Sequence, residues 1–282
     1  MEHTMLYSVE LTLQITGGDD PGWVNSYHLY SLFLHLINRV NPALAAAMHG
    51  DDGPKPFTVS LPNLGKRWRL LGLGDQVRFR LTLLQEQGFI SLLDALWGLP
   101  PDASLPLGGA RAVFQALATT PSQSPWAAFS SFPQLLEEAG EGRQLRLSFL
   151  SPTTFRSKGE RNVLFPDPSL VFGSLLARWN AFAPASLHLN REGEAVSAVR
   201  LSGYRLSTRM LDFGSYKELG FYGYATYELG ESLTCDEVKG LQALGAFAFF
   251  SGVGAKTTMG MGQVRTVDSA RFISDRTGKH PA

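Results

Sequence analysis

Hydrophobic and polar residues alternate over residues 6–15 (LYSVELTLQI), and this period of two predicts an N-terminal β-strand. Apolar residues then recur at helical spacing over residues 25–48. Asn41–Pro42 interrupts that pattern, because proline cannot continue a helix, so a second short helix is predicted over 43–48. The rest of the first half predicts strands over 57–61, 66–73, 76–84 and 107–117, and an amphipathic helix over 88–97.

The same kinds of pattern return in the second half of the chain. Strands are predicted over 143–150, 196–211, 219–229 and 259–268, and helices over 168–182 and 233–250. A turn near Asp212–Ser215 joins the two long central strands. Each half therefore follows the order strand, helix, strand, strand, helix, strand, which is the order of the ferredoxin-like split βαβ unit.

The predicted fold class is α+β, with two tandem ferredoxin-like (RRM-like) βαββαβ domains. The first domain is predicted over residues 1–118 and the second over 143–270. Residues 119–142, which are rich in Pro, Ser, Ala and Glu, are predicted to be a linker, and residues 271–282 a loose tail. This topology serves many unrelated functions, so function has to be inferred from particular residues.

Composition and charge indicate a folded protein whose second half is the basic one. Hydrophobic residues make up 44% of the 282 residues and charged residues 18%, which is enough to build packed cores. The formal net charge is zero, which argues against a protein that coats DNA by bulk charge. Residues 1–142 hold 8 Lys and Arg against 13 Asp and Glu, whereas residues 143–282 hold 17 against 12. If a polyanion binds, the second half is therefore where it is expected.

Cysteine and hydropathy patterns predict a cytoplasmic protein without a metal site or a membrane span. The single cysteine, Cys235, excludes an intrachain disulfide and a cysteine-based zinc cluster. No run of about 18 apolar residues exists to span a membrane, and the N-terminal residues lack the pattern of a secretory signal. The six histidines are not accompanied by cysteines or paired carboxylates at ligand spacing, so no metal site is predicted.

The most specific stretch is residues 251–263 (SGVGAKTTMGMGQ), here called the glycine loop, between the last predicted helix and the last predicted strand. Glycine tolerates positive φ and permits close approach of a ligand, and successive N–H groups can bind an anion. Gly254 and Gly260 are predicted to have positive φ or to contact phosphate. The loop differs from a Walker A loop, because Lys256 precedes Gly260 and the order is helix, loop, strand. A tight bend at a sheet edge is the alternative interpretation.

The glycine loop, in this position, resembles that of the repeat-associated RNA-binding (RAMP) proteins of CRISPR systems. Residues 150–156 (LSPTTFR), Phe165–Pro166 and residues 172–175 (FGSL) resemble the start of the second domain in the CRISPR repeat-processing endoribonucleases. Residues 41–60 of the first half, which include Asn41–Pro42, His49 and Lys55, resemble the same family. The glycine loop is shared with non-cleaving relatives, and the His49–Lys55 segment is what points to the endoribonucleases.

The resemblance implies an endoribonuclease that cleaves CRISPR precursor RNA within its repeats without a metal or cofactor. The substrate's own 2′-hydroxyl would attack, leaving a 2′,3′-cyclic phosphate and a 5′-hydroxyl. The implied partner is CRISPR repeat RNA, as a hairpin or a single strand, and a CRISPR effector complex is a further candidate partner. Two alternatives stay open. One is a non-catalytic RNA-binding subunit of an effector complex that holds the processed repeat end, and the other is an inactivated member that binds RNA but cleaves slowly.

Proton transfer and charge stabilisation are the two tasks that this cleavage needs. Histidine titrates near neutral pH and suits proton transfer, and lysine suits stabilisation of the charged phosphorane. His49 and Lys55 match the family pattern residue by residue, although a histidine at the end of a helix can also serve only as a C-terminal cap. Members of the family often carry a tyrosine on the long first helix as the partner of this histidine, and the equivalent position here is Leu34. His35 is the predicted substitute, with Tyr27, His28 and Tyr30 as alternatives.

The predicted RNA-binding residues belong to the second half. Arg205 and Arg209 lie four residues apart on one predicted strand, so they share a face. Arg67 and Arg69 share a strand face in the first half in the same way. The full predicted RNA-binding set is Arg156, Lys158, Arg161, Arg205 and Arg209, together with Gly252, Gly254, Lys256, Thr257, Gly260 and Gly262 of the glycine loop.

Overall fold

The computed structural model describes residues 5–18, 24–50, 53–61, 71–156, 162–187, 189 and 194–267. In this part of the chain the first half contains β1 (Met5–Gly18), α1 (Ser26–Val40), α2 (Pro42–Gly50), β2 (Phe57–Ser60), β3 (Gln76–Leu83), α3 (Glu86–Trp97), β4 (Leu105–Leu107), β5 (Ala110–Ala118), β6 (Ala128–Ser131) and α4 (Phe132–Glu137). The predicted break at Asn41–Pro42 is confirmed, because α1 ends at Val40 and α2 begins at Pro42.

The second half repeats the arrangement. Its elements are β7 (Gln144–Thr153), β8 (Phe155–Arg156), β9 (Asn162–Val163), α5 (Pro168–Phe182), α6 (Glu194–Ser197), β10 (Val199–Asp212), β11 (Lys217–Leu229), α7 (Cys235–Ser251) and β12 (Val264–Thr266). The predicted turn near Asp212–Ser215 is confirmed by the long β10–β11 hairpin. Among the described helices, none is long and apolar enough to cross a membrane.

Both halves form the predicted ferredoxin-like domains. The N-terminal sheet has the order β2-β3-β1-β5-β4, and the C-terminal sheet has the order β10-β11-β7-β12, with antiparallel pairing throughout. In each sheet the first strand of the domain lies at the centre, between the third and the last strands of the βαββαβ unit. The fold class is therefore α+β with two tandem ferredoxin-like domains.

The two halves pack closely on each other. Leu6, Leu84 and Phe132 of the first half belong to the same buried cluster as the core of the second half. Helix α7 covers the C-terminal sheet and also contacts β1, β2 and β3 of the N-terminal sheet. The end of α7, from which the glycine loop begins, therefore lies against the first domain.

The structure differs from the sequence-based prediction in several places. The segment 119–142, predicted as a linker, contains β6, which pairs with β1, and α4. The last strand, predicted from residue 259, begins at Val264, because Gly260 and Gly262 have positive φ and turn the chain within the glycine loop. The strand predicted over 66–73 lies mostly outside the described residues, and residues 71–73 are not part of a strand.

Candidate active site

Tyr30 and His49 meet at the surface of the first domain. Tyr30 lies on α1 and His49 in the last turn of α2, and the phenol oxygen is 2.9 Å from His49 Nδ1. The Tyr30 ring stacks against Phe57 at 6.0 Å between centroids, and Phe57 is fully buried. The tyrosine ring is thus packed on the core, and its hydroxyl orients the exposed histidine ring through a hydrogen bond with Nδ1.

Tyr30 is a neutral hydrogen-bonding partner for this histidine. Burial, with a smaller contribution from Tyr27, raises the pKa of the Tyr30 phenol above its ordinary value. The phenol therefore keeps its proton near neutral pH and can donate to or accept from the imidazole. Tyr27 stacks on Tyr30 at 6.2 Å between ring centroids and is itself 47% exposed.

Lys55 brings a positive charge to the same place. Its Nζ donates to the main-chain oxygen of His49 at 3.4 Å, a long hydrogen bond across the connection between α2 and β2. Residues 51 and 52 of that connection lie outside the described residues. The structure thus brings together His49 and Lys55, the two residues on which the endoribonuclease resemblance depends.

Of the α1 residues considered as the partner of His49, Tyr30 is the one that contacts it. Leu34 is half-buried and packs on the core. His28 accepts from the Asn25 backbone as part of the capping box that begins α1, and burial lowers its pKa. His35 is exposed and lies five residues after Tyr30, about 140° around the helix axis. The structure therefore places His35 on a different side of α1 from His49, so a direct partnership between these two histidines does not form.

The glycine loop is a tightly folded segment. Gly252, Gly254, Gly260 and Gly262 have φ between +65° and +88°, so the predicted positive φ is confirmed at Gly254 and Gly260. A Cβ on Gly254 would lie 2.4 Å from the Thr154 carbonyl oxygen, and one on Gly260 would lie 2.3 Å from Ser26 Oγ in the first domain. At these two positions, the atoms that leave room only for glycine therefore belong to the protein itself.

A buried arginine of α5, Arg178, holds the glycine loop. Its guanidinium donates to the Ser251 carbonyl at 2.6 Å, to the Gly254 carbonyl at 3.0 Å and to the Thr257 hydroxyl at 2.8 Å. Burial lowers its pKa to about 10, which leaves it charged at neutral pH. Ser174, four residues earlier on α5, accepts from the Gly254 amide at 3.1 Å. The signal in the sequence was this spacing of four, which places both side chains on one helix face.

The two polar residues predicted to bind RNA from this loop are engaged within the protein. Lys256 forms an ion pair with Glu218, and its Nζ lies 4.2 Å from the centre of the Tyr216 ring. Its side chain is 16% exposed. Thr257 is 4% exposed and bonded to Arg178. The Lys256 contacts fasten the loop to the tip of the β10–β11 hairpin, and the Thr257 contact fastens it to α5.

Arginines and tyrosines share the face of the C-terminal sheet that turns away from its helices. Arg205 is exposed, and Arg209 lies over the Tyr222 ring at 4.8 Å. Arg146 on β7 lies over the Tyr224 ring at 4.0 Å. Of the other predicted basic residues, Arg156 is exposed at the end of β8, whereas Lys158, Arg161, Arg67 and Arg69 lie outside the described residues. In the described ranges no group of three His, Cys, Asp or Glu is placed to hold a metal ion.

Known proteins match both halves of the chain. The family model of the CRISPR Cas6 N-terminal domain matches residues 5–137, and that of the CRISPR-associated endoribonuclease Cas6 matches residues 147–264. A Cas6 endoribonuclease of Mycobacterium tuberculosis is 35% identical over 137 residues, which is 48% of this chain and 43% of that protein's length.

Solved structures match over nearly the whole chain. Thermus thermophilus Cas6 is 30% identical with a TM-score of 0.72, covering 95% of this chain and 100% of that one. A product complex of the same Cas6 is 32% identical with a TM-score of 0.80, covering 93% of this chain and 100% of that one. A Cas6-related protein from Pyrococcus furiosus, at 14% identity and a TM-score of 0.56, shares the fold. With both family models matched in order, this chain belongs to the Cas6 family of CRISPR-associated endoribonucleases.

Proposed function

We propose that this protein binds CRISPR repeat RNA and cleaves one phosphodiester in each repeat without a metal ion. The observation that carries the proposal is the cluster of His49, Tyr30 and Lys55 at the surface of the first domain. A protein that only holds RNA has no need for a histidine oriented by a neutral phenol beside an ammonium group. Related Cas6 structures described as a product complex and a substrate mimic complex support RNA as the substrate class.

In the proposed reaction His49 acts as the general base. Tyr30 engages Nδ1, so Nε2 is the ring nitrogen that is left for the substrate. With its Nδ1–H donated to the phenol oxygen, the imidazole carries its lone pair on Nε2. Nε2 takes the proton of the 2′-hydroxyl, and the 2′-oxygen bonds to the adjacent phosphorus. The bond from phosphorus to the 5′-oxygen then breaks, which leaves a 2′,3′-cyclic phosphate and, once the leaving oxygen takes up a proton, a 5′-hydroxyl.

Lys55 supplies the positive charge for the phosphorane. Its ammonium group lies beside the His49 main chain, where negative charge would develop on the non-bridging oxygens. Proton transfer and charge stabilisation are thus both supplied by side chains, which is the basis for proposing a metal-independent reaction. The arginines of the open C-terminal sheet face, with Arg205 the most accessible, are proposed to bind phosphates of the repeat.

The experiment is cleavage of a repeat RNA by the purified protein in excess EDTA. One cut per repeat is expected, with a 2′,3′-cyclic phosphate and a 5′-hydroxyl at the new ends. A matched RNA with a single 2′-deoxynucleotide before the cut should bind equally well and stay intact, because it lacks the attacking oxygen. Cleavage that requires added Mg²⁺, or cleavage of the 2′-deoxy RNA at the same bond, would contradict the mechanism. Binding without any cut would favour the non-catalytic subunit.

A further inference from the structure

Two hydrogen bonds, one just before the glycine loop and one at its last residue, join this segment to two neighbouring residues of the other domain. Arg80 Nη2 on β3 donates to the carbonyl oxygen of Phe249, two residues before the loop, at 2.6 Å. Gln263, the last residue of the loop, donates from Nε2 to Ser60 Oγ on β2 at 2.5 Å. Ser60 and Arg80 are paired in the register of β2 and β3. The two bonds therefore cross the domain boundary side by side and bracket the loop.

Arg80 is a buried charge whose contacts lie on both sides of this boundary. It is 1% exposed, and its Nε donates to Ser8 Oγ on β1 at 2.7 Å. Its guanidinium also lies over the Phe249 ring at 3.9 Å. The carbonyl groups at the end of α7 carry partial negative charge, so a cation is favoured there. Burial, and to a smaller extent the charge of Arg265, lowers the pKa of Arg80 to about 9, so it remains protonated at neutral pH.

Strand β2 also connects this part of the domain boundary with the candidate active site. Strand β2 begins at Phe57, whose ring supports Tyr30, and Lys55 lies two residues before it. Ser60 is three residues after Phe57 and is 2% exposed at the domain boundary. A shift of the glycine loop relative to β2 would therefore also shift the loop relative to Tyr30, His49 and Lys55.

We infer that Arg80 and Ser60 are positioning residues that hold the glycine loop, and RNA bound near it, in register with His49 and Lys55. This inference rests on the proposed function for its effect on cleavage. Neither residue needs to contact RNA. Directional hydrogen bonds suit this task better than apolar packing, since each one fixes both a distance and an angle.

The first test removes the hydrogen bond between Ser60 and Gln263. In Ser60→Ala and in Gln263→Leu, the single-turnover cleavage rate should fall about 5- to 10-fold, while the Kd for RNA changes less than about twofold. The double variant should be no slower than the slower single variant, because both changes remove one bond. Thr82→Val is the matched control. It breaks the buried hydroxyl pair of Thr58 and Thr82, 2.6 Å apart on the same two strands but within one domain, and should keep the wild-type rate.

The second test concerns Arg80 itself. Arg80→Lys keeps the charge and can reach one acceptor, so it should cleave faster than Arg80→Met. Because Arg80→Met can also lower stability, amide hydrogen exchange is measured on each folded variant. Exchange should quicken over residues 251–263 in Arg80→Met and Ser60→Ala, and stay at wild-type values there in Thr82→Val.

The outcomes separate this inference from the proposed function. If wild-type protein cleaves and the Ser60, Gln263 and Arg80 variants cleave at the same rate, the positioning role is refuted while the endoribonuclease stands. If wild-type protein does not cleave, the proposed function fails, and hydrogen exchange still decides whether these residues hold the loop. Loop exchange that is equal in all variants overturns the inference in either case.

Discussion

Replacing Gly260 by alanine tests whether the glycine loop is shaped by packing between the domains or by RNA. The backbone φ of Gly260 is +88°, where an L-residue costs about 1–2 kcal/mol. The added Cβ would also lie 2.3 Å from Ser26 Oγ and 2.8 Å from Ser26 Cβ. Overpacking of this kind costs a further amount of about 1–3 kcal/mol. The free energy of unfolding of Gly260→Ala should therefore fall by about 2–5 kcal/mol in the absence of RNA.

Gly74 provides the control for backbone strain. Its φ is +85°, nearly the same as that of Gly260, but a Cβ there would have nothing within 4 Å. Gly74→Ala should therefore lose only the strain of about 1–2 kcal/mol. In the variant that combines Gly260→Ala with Ser26→Gly, the overlap is removed, and a double-mutant cycle should recover about 1–3 kcal/mol.

The assay is equilibrium unfolding in urea for the wild type, Gly74→Ala, Gly260→Ala, Ser26→Gly and the double variant, followed by RNA titration at fixed salt. Gly260→Ala should be less stable than Gly74→Ala, and restoring the fit with Ser26→Gly should restore RNA affinity in parallel. Packing between the domains is excluded as the reason for this glycine if the two alanine variants are equally stable and Gly260→Ala alone fails to bind RNA. That result would mean that the glycine makes room for phosphate, as the sequence alone had suggested.

Three other variants test the site and its surroundings. Tyr30→Phe should lower the single-turnover cleavage rate by about 10-fold without changing the Kd, because it removes the hydrogen bond to the imidazole; an unchanged rate would mean that the phenol plays no part. Arg205→Ala combined with Arg209→Ala should reduce the slope of log K against log salt by up to about one per lost phosphate contact, and an identical slope would show that these arginines do not contact RNA. Glu218→Gln removes the ionic partner of Lys256 and should lower the free energy of unfolding by about 2 kcal/mol in urea titrations, whereas wild-type stability would show that this pair does not fasten the loop.

Periodicity in the sequence was sufficient to predict the fold, because the long strands and helices of both domains have a clear pattern or a clear stop. The Asn41–Pro42 break and the turn at Asp212–Ser215 lie where they were predicted. Strand β6 was missed because four residues next to a Pro- and Ser-rich segment are too short to show a period. The start of the last strand was placed too early, because residues 259–263 alternate like a strand although their glycines turn the chain.

The candidate site could be predicted only in part. His49 and Lys55 were found because they are close in the sequence and belong to one motif. The helix partner is Tyr30, one turn before Leu34, and these two positions share a helix face. Which turn faces His49 depends on how α2 packs on α1, and the sequence does not specify that packing. Arg178 and Arg80 were missed because most of their partners are main-chain carbonyls far away in the sequence. The spacing of Ser174 and Arg178 indicates a shared helix face, but it does not show what that face contacts.

The role of His49 as general base is tested most directly by the single-turnover cleavage rate of His49→Ala on a repeat RNA, measured beside its Kd for the same RNA. The rate should be lower by about 10²–10⁴-fold, the span for loss of one acid–base group, with the Kd nearly unchanged. The histidine is exposed at the end of α2, so the variant should fold normally and circular dichroism should match the wild type. Wild-type cleavage by His49→Ala would contradict the central claim and remove this histidine from the mechanism.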